Sequence, residues 1–443
     1  MYSRILFFLL TFLFTALGEN LYAAENGNSS QQPEIITLES CLHIAFNNSQ
    51  ELKAAAQNIT IAKEKVRQAE SGIWPTLGYE ITASDSDQNQ IGWLVGINSQ
   101  KLSSASISLT QPLYTGGNVT KGIKLAKLNL ETAKEDECKA RQTLIYNVKS
   151  AYYQVWLSQQ MIKVAQDAYD NMGRHAQQVK DFYEVGKASR FDLLRAQVEH
   201  ENLKPAVIKA QNGVVMAKLN LSNIIGFEKK RKFIISDDLS QLQLLDKVEL
   251  DSDTLLGQAF LNRPELKKFA KMQEMARIQT ALATAGYKPT VALVGTYQGS
   301  SVGGYDPGNW NDSKQWTLAL NIKGDFFDGF LTPAKVGEVK ANQRLVEINE
   351  TKLQDGIHFD VKQSLQEIKE SLEISCANRA SVNLAKESLE MTEAKFEVQM
   401  ATMMDVRDSQ LALDQALSGY YAGIASYLTA LAKLDLNIGK DSL

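Results

Sequence analysis

Two hydrophobic periods alternate along this chain, and they predict helices and strands in turn. Within residues 37–72, apolar side chains recur every three or four positions, which is typical of a helix with one buried face. Gly72 and Pro75 then end the helix, because proline cannot continue its hydrogen-bond ladder. Residues 76–84 and 104–113 instead alternate every second residue, which predicts two strands with one apolar face each.

Very long helical stretches follow the strands. Residues 118–184 contain no proline, and neither do residues 334–398, so each stretch is suited to one unbroken helix. At about 1.5 Å per residue, each helix would reach on the order of 100 Å. Each helix then turns and returns as a second one, at 191–225 and 404–438. Pro205 lies inside the first return helix, where we expect it to kink or break the helix.

Apolar residues in the second long stretch step by three and four positions, as they do along the seam of a coiled coil. Charged residues occupy the other faces of the same stretch. We therefore expect each long helix to pack against its return helix as an antiparallel coiled coil. The seam consists of Ile357, Val361, Leu365, Ile368 and Leu372.

The second half of the chain repeats the first. A shift of 213 residues aligns the turn at Val185 with the turn at Val398 and continues without a gap to the end of the return helix. The aligned pairs include Ala188/Ala401, Asp192/Asp405, Gln197/Gln410 and Gly226/Gly439. We divide the chain into a first repeat at 37–226 with a helical hairpin at 118–226, a connector at 227–250, and a second repeat at 251–439 with strands at about 290–298 and 316–326 and a hairpin at 333–439.

The N-terminus has the features of a secretory signal peptide. Within residues 1–24, Arg4 precedes an apolar run, and small residues follow where cleavage would occur. Residues 25–36 are polar and are expected to form a flexible lead-in. The chain is therefore expected to be exported.

Composition and residue spacing argue against several other functions. The formal net charge of −4 gives no reason to expect a nucleic-acid partner. Three cysteines and four histidines are scattered, without the spacing of a disulfide framework, a metal site or a catalytic triad. We therefore expect no enzymatic activity, no cofactor and no metal.

The four strands have two interpretations. They could form a small soluble sheet covered on one side, or they could span a membrane, since their length and alternation suit a bilayer. Four strands cannot close a barrel, and an open strand edge cannot lie in lipid. The membrane interpretation therefore requires several chains: two would supply eight strands and three would supply twelve.

Several stretches together resemble the TolC family of outer membrane efflux and secretion channels. No single motif is specific, but their order, spacing and duplication from about residue 37 to the end are. The stretches that carry the resemblance are Leu38–Ala45 with Asn48, the Trp74-Pro-Thr-Leu entry to the first strand, Gln111–Gly117, and Val185–Asp192 with their second-half counterparts.

The resemblance implies a fold that is mainly helical with a membrane β-barrel. A homotrimer would form a twelve-stranded barrel in the outer membrane of a Gram-negative bacterium, above a long periplasmic tunnel of helices. The channel would be a passive exit duct for efflux or type I secretion. Its partners would be outer membrane lipid, a periplasmic adaptor protein and an inner-membrane transporter.

The resemblance also places both helical turns at the periplasmic mouth. Asp405 and Asp408 match the acidic pair that constricts the pore in the family. The residues expected to contact an adaptor are Gly186, Lys187, Ala188, Ser189, Arg190, Phe191, Asp192, Met400, Ala401, Thr402, Met403 and Met404.

Other roles remain open for these residues. Asp192 and Asp405 each begin a return helix, where an aspartate commonly caps free N–H groups. Phe396 and Ala401 stand where, in the best-known member of the family, a Tyr and an Arg help to hold the mouth closed. We expect packing of Met400, Met403 and Met404 to replace that latch, or a looser resting mouth.

A soluble periplasmic coiled-coil scaffold or adhesin is the alternative function. It would need no trimeric closure and would be extracted without detergent. The strands with an apolar face favour the channel. Neither the cargo nor the identity of the pump follows from the sequence.

Overall fold

The structure is a computed structural model, which describes residues 34–86, 100–227, 233–235, 239, 251–302 and 314–441. The signal peptide predicted at 1–24 lies outside the described residues, as do most of the lead-in and most of the connector. The helices and strands described are β1 (Glu34–Ile36), α1 (Leu38–Asn48), α2 (Gln50–Ser71), β2 (Thr76–Ser86), β3 (Gln100–Tyr114), α3 (Asn118–Glu184), α4 (Arg190–Ile225), β4 (Phe233–Ile235), α5 (Ser252–Asn262), α6 (Pro264–Ala283), β5 (Thr290–Val302), β6 (Gln315–Lys323), α7 (Leu331–Glu397) and α8 (Met403–Asn437).

Two helices of 67 residues each, α3 and α7, form the long axis of the molecule. Each packs along its return helix, α3 on α4 and α7 on α8, and α3 also packs on α8. The four helices therefore lie side by side in the order α4, α3, α8, α7. The shorter helices α2 and α6 pack against α3, and α6 also contacts α7. Among the described helices, none combines the length and the apolar run that a bilayer-crossing helix needs.

The second hairpin is held together by the seam that the sequence predicts. Ile357, Val361, Leu365 and Ile368 of α7 are all buried, and they belong to one apolar cluster. Tyr427, Ala430 and Leu434 of α8 and Leu255, Leu256 and Ala259 of α5 complete that cluster. Burial of these aliphatic groups fixes the register of α7 against α8.

A second core lies where the first repeat begins and ends. Val148, Tyr152 and Val155 of α3 are fully buried, and they pack with Leu221 and Ile225 near the end of α4. Helix α1 and the strands β1 and β4 cover the same cluster. The start of the repeat is thereby held against its end.

Strands β2, β3, β5 and β6 form one antiparallel sheet in that order, so β2 and β6 are its edges. The register places the apolar residues of all four strands in rows on one face. One row consists of Leu77, Leu109, Gly295 and Leu318, and the next consists of Tyr79, Ile107, Tyr297 and Trp316. Leu77, Tyr79, Trp316 and Leu318 are at least 63% exposed in the single chain.

The first predicted helix is interrupted, whereas the break that the sequence allows at Pro205 does not occur. The first helix does not run unbroken over 37–72, because Ser49 leaves helical geometry between α1 and α2 and its side chain accepts a hydrogen bond from Leu52 N. Helix α4, in contrast, continues through Pro205. The proline removes one helical hydrogen bond, but α3 packs along the length of α4 and holds it in place.

The lead-in and the connector contain a short sheet that the sequence did not predict. Glu34–Ile36 pairs in parallel with Phe233–Ile235. Ile36, Phe233 and Ile235 are buried in the first-repeat core. The last three residues of the lead-in are therefore ordered structure rather than a flexible segment.

The strand ends also differ from the predicted ones. Strand β3 begins at Gln100 and continues past Pro112, where a register shift leaves Leu113 without a partner in β5. A bulge accommodates a proline because it interrupts the hydrogen-bond ladder at that point. Strand β6 ends at Lys323, three residues before the predicted end, and an irregular segment leads to Gly329.

The helical turns and their acidic residues

The turns at the free ends of the two hairpins have the same backbone geometry. Gly186 has a φ of 75° and Gln399 has a φ of 63°, both in the left-handed region. In the first turn, Lys187 N donates to Phe182 O at 2.7 Å, and in the second turn Met400 N donates to Lys395 O at 2.8 Å. This pattern closes the carbonyl end of a helix.

The two turns also touch each other. Gln399 Nε2 donates to the carbonyl oxygen of Lys187 at 3.4 Å. The glutamine that replaces glycine in the second turn thus adopts the left-handed conformation and contributes a contact that glycine could not make. The hydrogen bond joins the turns of the first and second repeats.

A reciprocal capping box begins each return helix. Asp192 N donates to Ser189 Oγ at 3.1 Å, and Ser189 N donates to Asp192 Oδ2 at 3.2 Å. In the second turn, Thr402 N and Thr402 Oγ1 both donate to Asp405 Oδ2 at 2.7 Å. These bonds, first the one from Thr402 N, lower the pKa of Asp405 below its ordinary value. Both aspartates therefore cap helices, as the alternative interpretation of the sequence expects.

Asp408 has a different set of neighbours. One of its oxygens, Oδ1, accepts hydrogen bonds from Nε and Nη2 of Arg407 at 3.2 and 3.1 Å. The third guanidinium nitrogen, Nη1, donates to Glu199 Oε1 on α4 at 3.2 Å. The structure thus places Asp405 and Asp408 one helical turn apart, but each carboxylate has its own partner. Sequence reasoning missed Arg407 and Glu199.

An apolar cluster lies directly behind the turns. Ala196 and Val406 are fully buried there, together with Phe396, which is 7% exposed. Ala188, Ala401 and Met403 pack against the edge of the cluster. Phe396 therefore acts as a core residue that joins the hairpins.

The three methionines do not share one environment. Met403 packs against the apolar cluster, and Met404 is half-buried. Met400 is 78% exposed. Of the three, Met403 is therefore the one that stabilises the hairpin ends within a chain.

Two polar links connect the hairpins farther from the turns. His175 Nε2 lies 3.0 Å from Glu393 Oε1, and the ring of His175 meets the ring of Phe396 edge to face. Asn171 Nδ2 donates to Gln410 Oε1 at 3.1 Å, and Gln410 Nε2 donates to Asp414 Oδ1 at 2.7 Å. Burial raises the pKa of Asp414 to about 6. The two links between hairpins join residues 218 and 239 positions apart in sequence, so no local pattern could reveal them.

The surface of the turns is exposed and mixed in character. Phe191 is 69% exposed, and Val185 and Val398 are similarly open. The candidate contact residues that are exposed are Gly186, Lys187, Ser189, Arg190, Phe191, Asp192, Met400 and Thr402, whereas Ala188, Ala401, Met403 and Met404 are half-buried. The exposed set combines apolar side chains with basic ones.

Comparison with known proteins shows which family shares these features. Residues 41–227 and 255–440 match the family described as "Outer membrane efflux protein". Outer membrane protein TolC of Vibrio cholerae is 26% identical over 407 residues, which cover 89% of this chain and 88% of that protein. Outer membrane protein TolC of Escherichia coli is 26% identical over 396 residues, which cover 83% of this chain and 74% of that protein.

Solved structures share the fold at lower identity. A crystal structure of CusC, described in terms of transmembrane channel formation, has a TM-score of 0.78 at 16% identity and covers 93% of this chain and 96% of that one. The open state of the Neisseria gonorrhoeae MtrE outer membrane channel has a TM-score of 0.75 at 18% identity, with 91% and 89% covered.

These findings confirm the predicted fold class and the predicted location in the outer membrane. They favour the channel over a soluble scaffold or adhesin. The matched family is one of transport channels and not of enzymes. The chain therefore belongs to the outer membrane efflux protein family and works as an outer membrane efflux channel.

Proposed function

We propose that three copies of this chain close into a twelve-stranded barrel above a tunnel of helices and form a passive exit duct. The observation that carries the proposal is the four-stranded sheet, whose apolar face is exposed and whose edges are β2 and β6. A bilayer accepts such a sheet only if β6 of one chain pairs with β2 of the next, because open edges leave N–H and C=O groups unsatisfied in lipid.

The helices support the same assembly. In one chain, α4, α3, α8 and α7 lie side by side, so α4 and α7 are the outer members of the layer. Three such layers placed edge to edge would give a tube of twelve helices. The tube would conduct solutes without chemistry of its own, and an inner-membrane transporter would supply the energy.

The turns are the proposed periplasmic mouth. Exposed apolar and basic side chains, among them Phe191 and Met400, suit contact with a periplasmic adaptor protein. Asp408 is exposed and is proposed to face the pore, where three copies would contribute to a ring of negative charge. Asp405 would lie beside that ring while it caps α8.

Conductance through a planar lipid bilayer tests this mouth. Wild-type protein is expected to form cation-preferring pores that di- and trivalent cations block. Asp408→Ala should weaken block by a trivalent cation by about tenfold, because the ring loses charge. Asp253→Ala, which removes an exposed carboxylate on α5, is the matched control and should leave block unchanged. Unaltered block in Asp408→Ala would contradict the pore-facing role.

Resting conductance tests the packing of the methionines. Met403→Ser should raise it, because the serine withdraws a side chain from the cluster behind the turns. Met404→Ser serves as the neighbouring comparison. If both variants conduct like the wild type, the methionines do not hold the mouth.

Photo-cross-linking in intact cells tests the adaptor contact. A photoreactive residue at Phe191 or Met400 should capture a periplasmic adaptor. Leu261 on α5 is 75% exposed and provides a matched apolar control position. Equal capture from Leu261 would show that the turns are not the docking surface.

A further inference from the structure

One guanidinium group links the two return helices next to the proposed mouth. Arg407 donates from Nε and Nη2 to Asp408 and from Nη1 to Glu199, so all three of its nitrogens are engaged. The side chains of Arg407 and Glu199 are 36% and 23% exposed, whereas that of Asp408 is 61% exposed. The arginine is therefore anchored on one side and faces an open carboxylate on the other.

The first repeat lacks this arrangement. The positions that align with Arg407 and Asp408 are Leu194 and Arg195, and the position that aligns with Glu199 is Ala412. Each repeat keeps its capping aspartate but places a different charge one turn later. The ion pair therefore belongs to the second turn alone in the part of the chain that the structure describes.

We propose that Arg407 is a selectivity-determining residue of the mouth and that Glu199 positions it. The proposal rests on the proposed function, because it needs three copies whose second turns surround one pore. In that assembly, the capping aspartate and Asp408 would supply two carboxylates per chain and Arg407 one guanidinium. Arginine stays charged at any physiological pH, so the positive charge is permanent.

The consequence is a ring of reduced negative charge. Three chains would contribute six ring carboxylates, from Asp405 and Asp408, and three guanidinium groups, so at most half of the acidic charge of the ring is offset. The ring would still attract cations, but polyvalent cations would bind less tightly than at an uncompensated ring. Glu199 accepts from a different nitrogen of the same guanidinium, and its negative charge therefore limits how far Asp408 is neutralised.

Single-channel recording from the intact purified protein tests the proposal, with hexaamminecobalt(III) as the blocking cation and a KCl gradient for selectivity. Arg407→Gln removes the charge and should tighten the block by about tenfold and increase the preference for K⁺ over Cl⁻. Glu199→Gln leaves the guanidinium to Asp408 and should weaken the block by about twofold. The two changes have opposite signs because Arg407→Gln removes the positive charge beside Asp408, whereas Glu199→Gln removes the second carboxylate that shares this charge.

Two further variants make the test specific. Arg195→Gln removes an exposed arginine from the aligned turn of the first repeat and should change the block by less than twofold. Arg407→Lys keeps the charge and should stay close to the wild type. If Arg407→Gln does not assemble, a wild-type block in Glu199→Gln or a tenfold tighter block in Arg407→Lys overturns the proposal.

The outcomes separate this inference from the function on which it rests. If the block is unchanged in Arg407→Gln but weakened in Asp408→Ala, the acidic mouth is supported and the proposed role of Arg407 is rejected. An equal effect of Arg195→Gln would show that overall charge matters rather than this pair. If the wild-type protein forms no conducting pore, the proposed function itself fails.

Discussion

The turns of the two repeats have the same backbone but carry different charges. Both close with a left-handed residue, and both start the return helix with a capping box. One turn after the capping aspartate, however, the first repeat has Arg195 and the second has Asp408, which Arg407 holds. Backbone hydrogen bonds that shape the turn are thus common to both copies, while side chains that point away from it differ.

The opposite ends of the repeats show the same division. Gly226 and Gly439 both have a positive φ, near 65° and 71°. Each lies against the break between the two short helices that open its repeat, at Asn48 and at Arg263. The close approach is common to both copies, but the side chains at the break differ, with Ser49 in one and Arg263 in the other.

Replacing the two closing glycines should give the largest effects. A Cβ on Gly439 would lie 2.9 Å from backbone atoms of Asn262 and Arg263, and Gly226 meets the side chain of Asn48 at the same distance. We expect Gly439→Ala to cost about 3 kcal/mol and Gly226→Ala about 2 kcal/mol, because two backbone atoms lie at 2.9 Å from the added Cβ at Gly439 and only one atom, Asn48 Cβ, lies that close at Gly226. Thermal unfolding followed by circular dichroism measures both.

Gly213→Ala is the control for these substitutions. Nothing lies within 4 Å of its added Cβ, and the residue is inside α4. It should stabilise the protein by about 0.5–1 kcal/mol, because glycine weakens a helix interior. Equal destabilisation by all three substitutions would contradict the close-contact explanation.

Substitutions at the helix breaks should give the next largest losses of stability, and the loss should differ between the two repeats. Arg263 Nη2 donates to Asp360 Oδ2 at 3.2 Å and to Asn437 Oδ1 at 3.0 Å, and the side chain is 8% exposed. Arg263→Met should cost about 2–3 kcal/mol by leaving buried Asn437 without this donor. Ser49→Ala removes one capping bond and should cost about 1 kcal/mol. Chemical unfolding of both variants would show whether the second repeat depends more on its break.

Substitutions of the left-handed residues in the two turns should change stability in opposite directions. Gly186→Ala places a Cβ where φ is 75° and should cost about 1 kcal/mol. Gln399→Gly relieves the same strain, which should stabilise the protein by up to about 1 kcal/mol. Loss of the hydrogen bond to Lys187 reduces this gain, so the net effect should lie between neutral and stabilising. A stability loss in Gln399→Gly larger than that in Gly186→Ala would mean that the link between the turns outweighs the backbone strain.

A pH-dependent difference should be the smallest effect. Burial raises the pKa of Asp414 to about 6, so the folded state binds this proton more tightly than the unfolded state. Stability from this group is therefore present below about pH 4 and is lost as pH rises through 6. Asp414→Asn should raise the Tm by a few degrees at pH 7.5, and the advantage should vanish near pH 4.

Asp167→Asn is the comparison for Asp414. Asp167 contributes to the raised pKa of Asp414 through its charge, after burial. Its removal should shift the titration of Asp414 toward its ordinary value but leave most of the effect of burial. An identical Tm for the wild type and Asp414→Asn at both pH values would show that Asp414 is well solvated.

Local patterns made much of this fold predictable. The duplicated turns could be recognised because a constant shift of 213 residues aligns them, and the strands because their alternation shows within about ten residues. The long helices followed from the absence of proline. Pro205 does not break α4, because packing along α4 outweighs one lost hydrogen bond.

Contacts between distant segments could not be predicted in the same way. The strands β1 and β4 have three residues each, which is too short for any period. Arg407 and Glu199 stand 208 positions apart, and only the packing of the two hairpins brings them together. His175 and Glu393 meet for the same reason. The capping aspartates of the candidate site were thus predictable, but the polar contacts between its hairpins were not.

The closure of three sheets into one barrel is the central claim, and the mass of the intact particle tests it most directly. Native mass spectrometry of protein extracted by detergent from purified outer membranes should give three copies of the chain. Particles of one or two copies, with the sheet edges unprotected from hydrogen exchange, would contradict closure and with it the proposed pore.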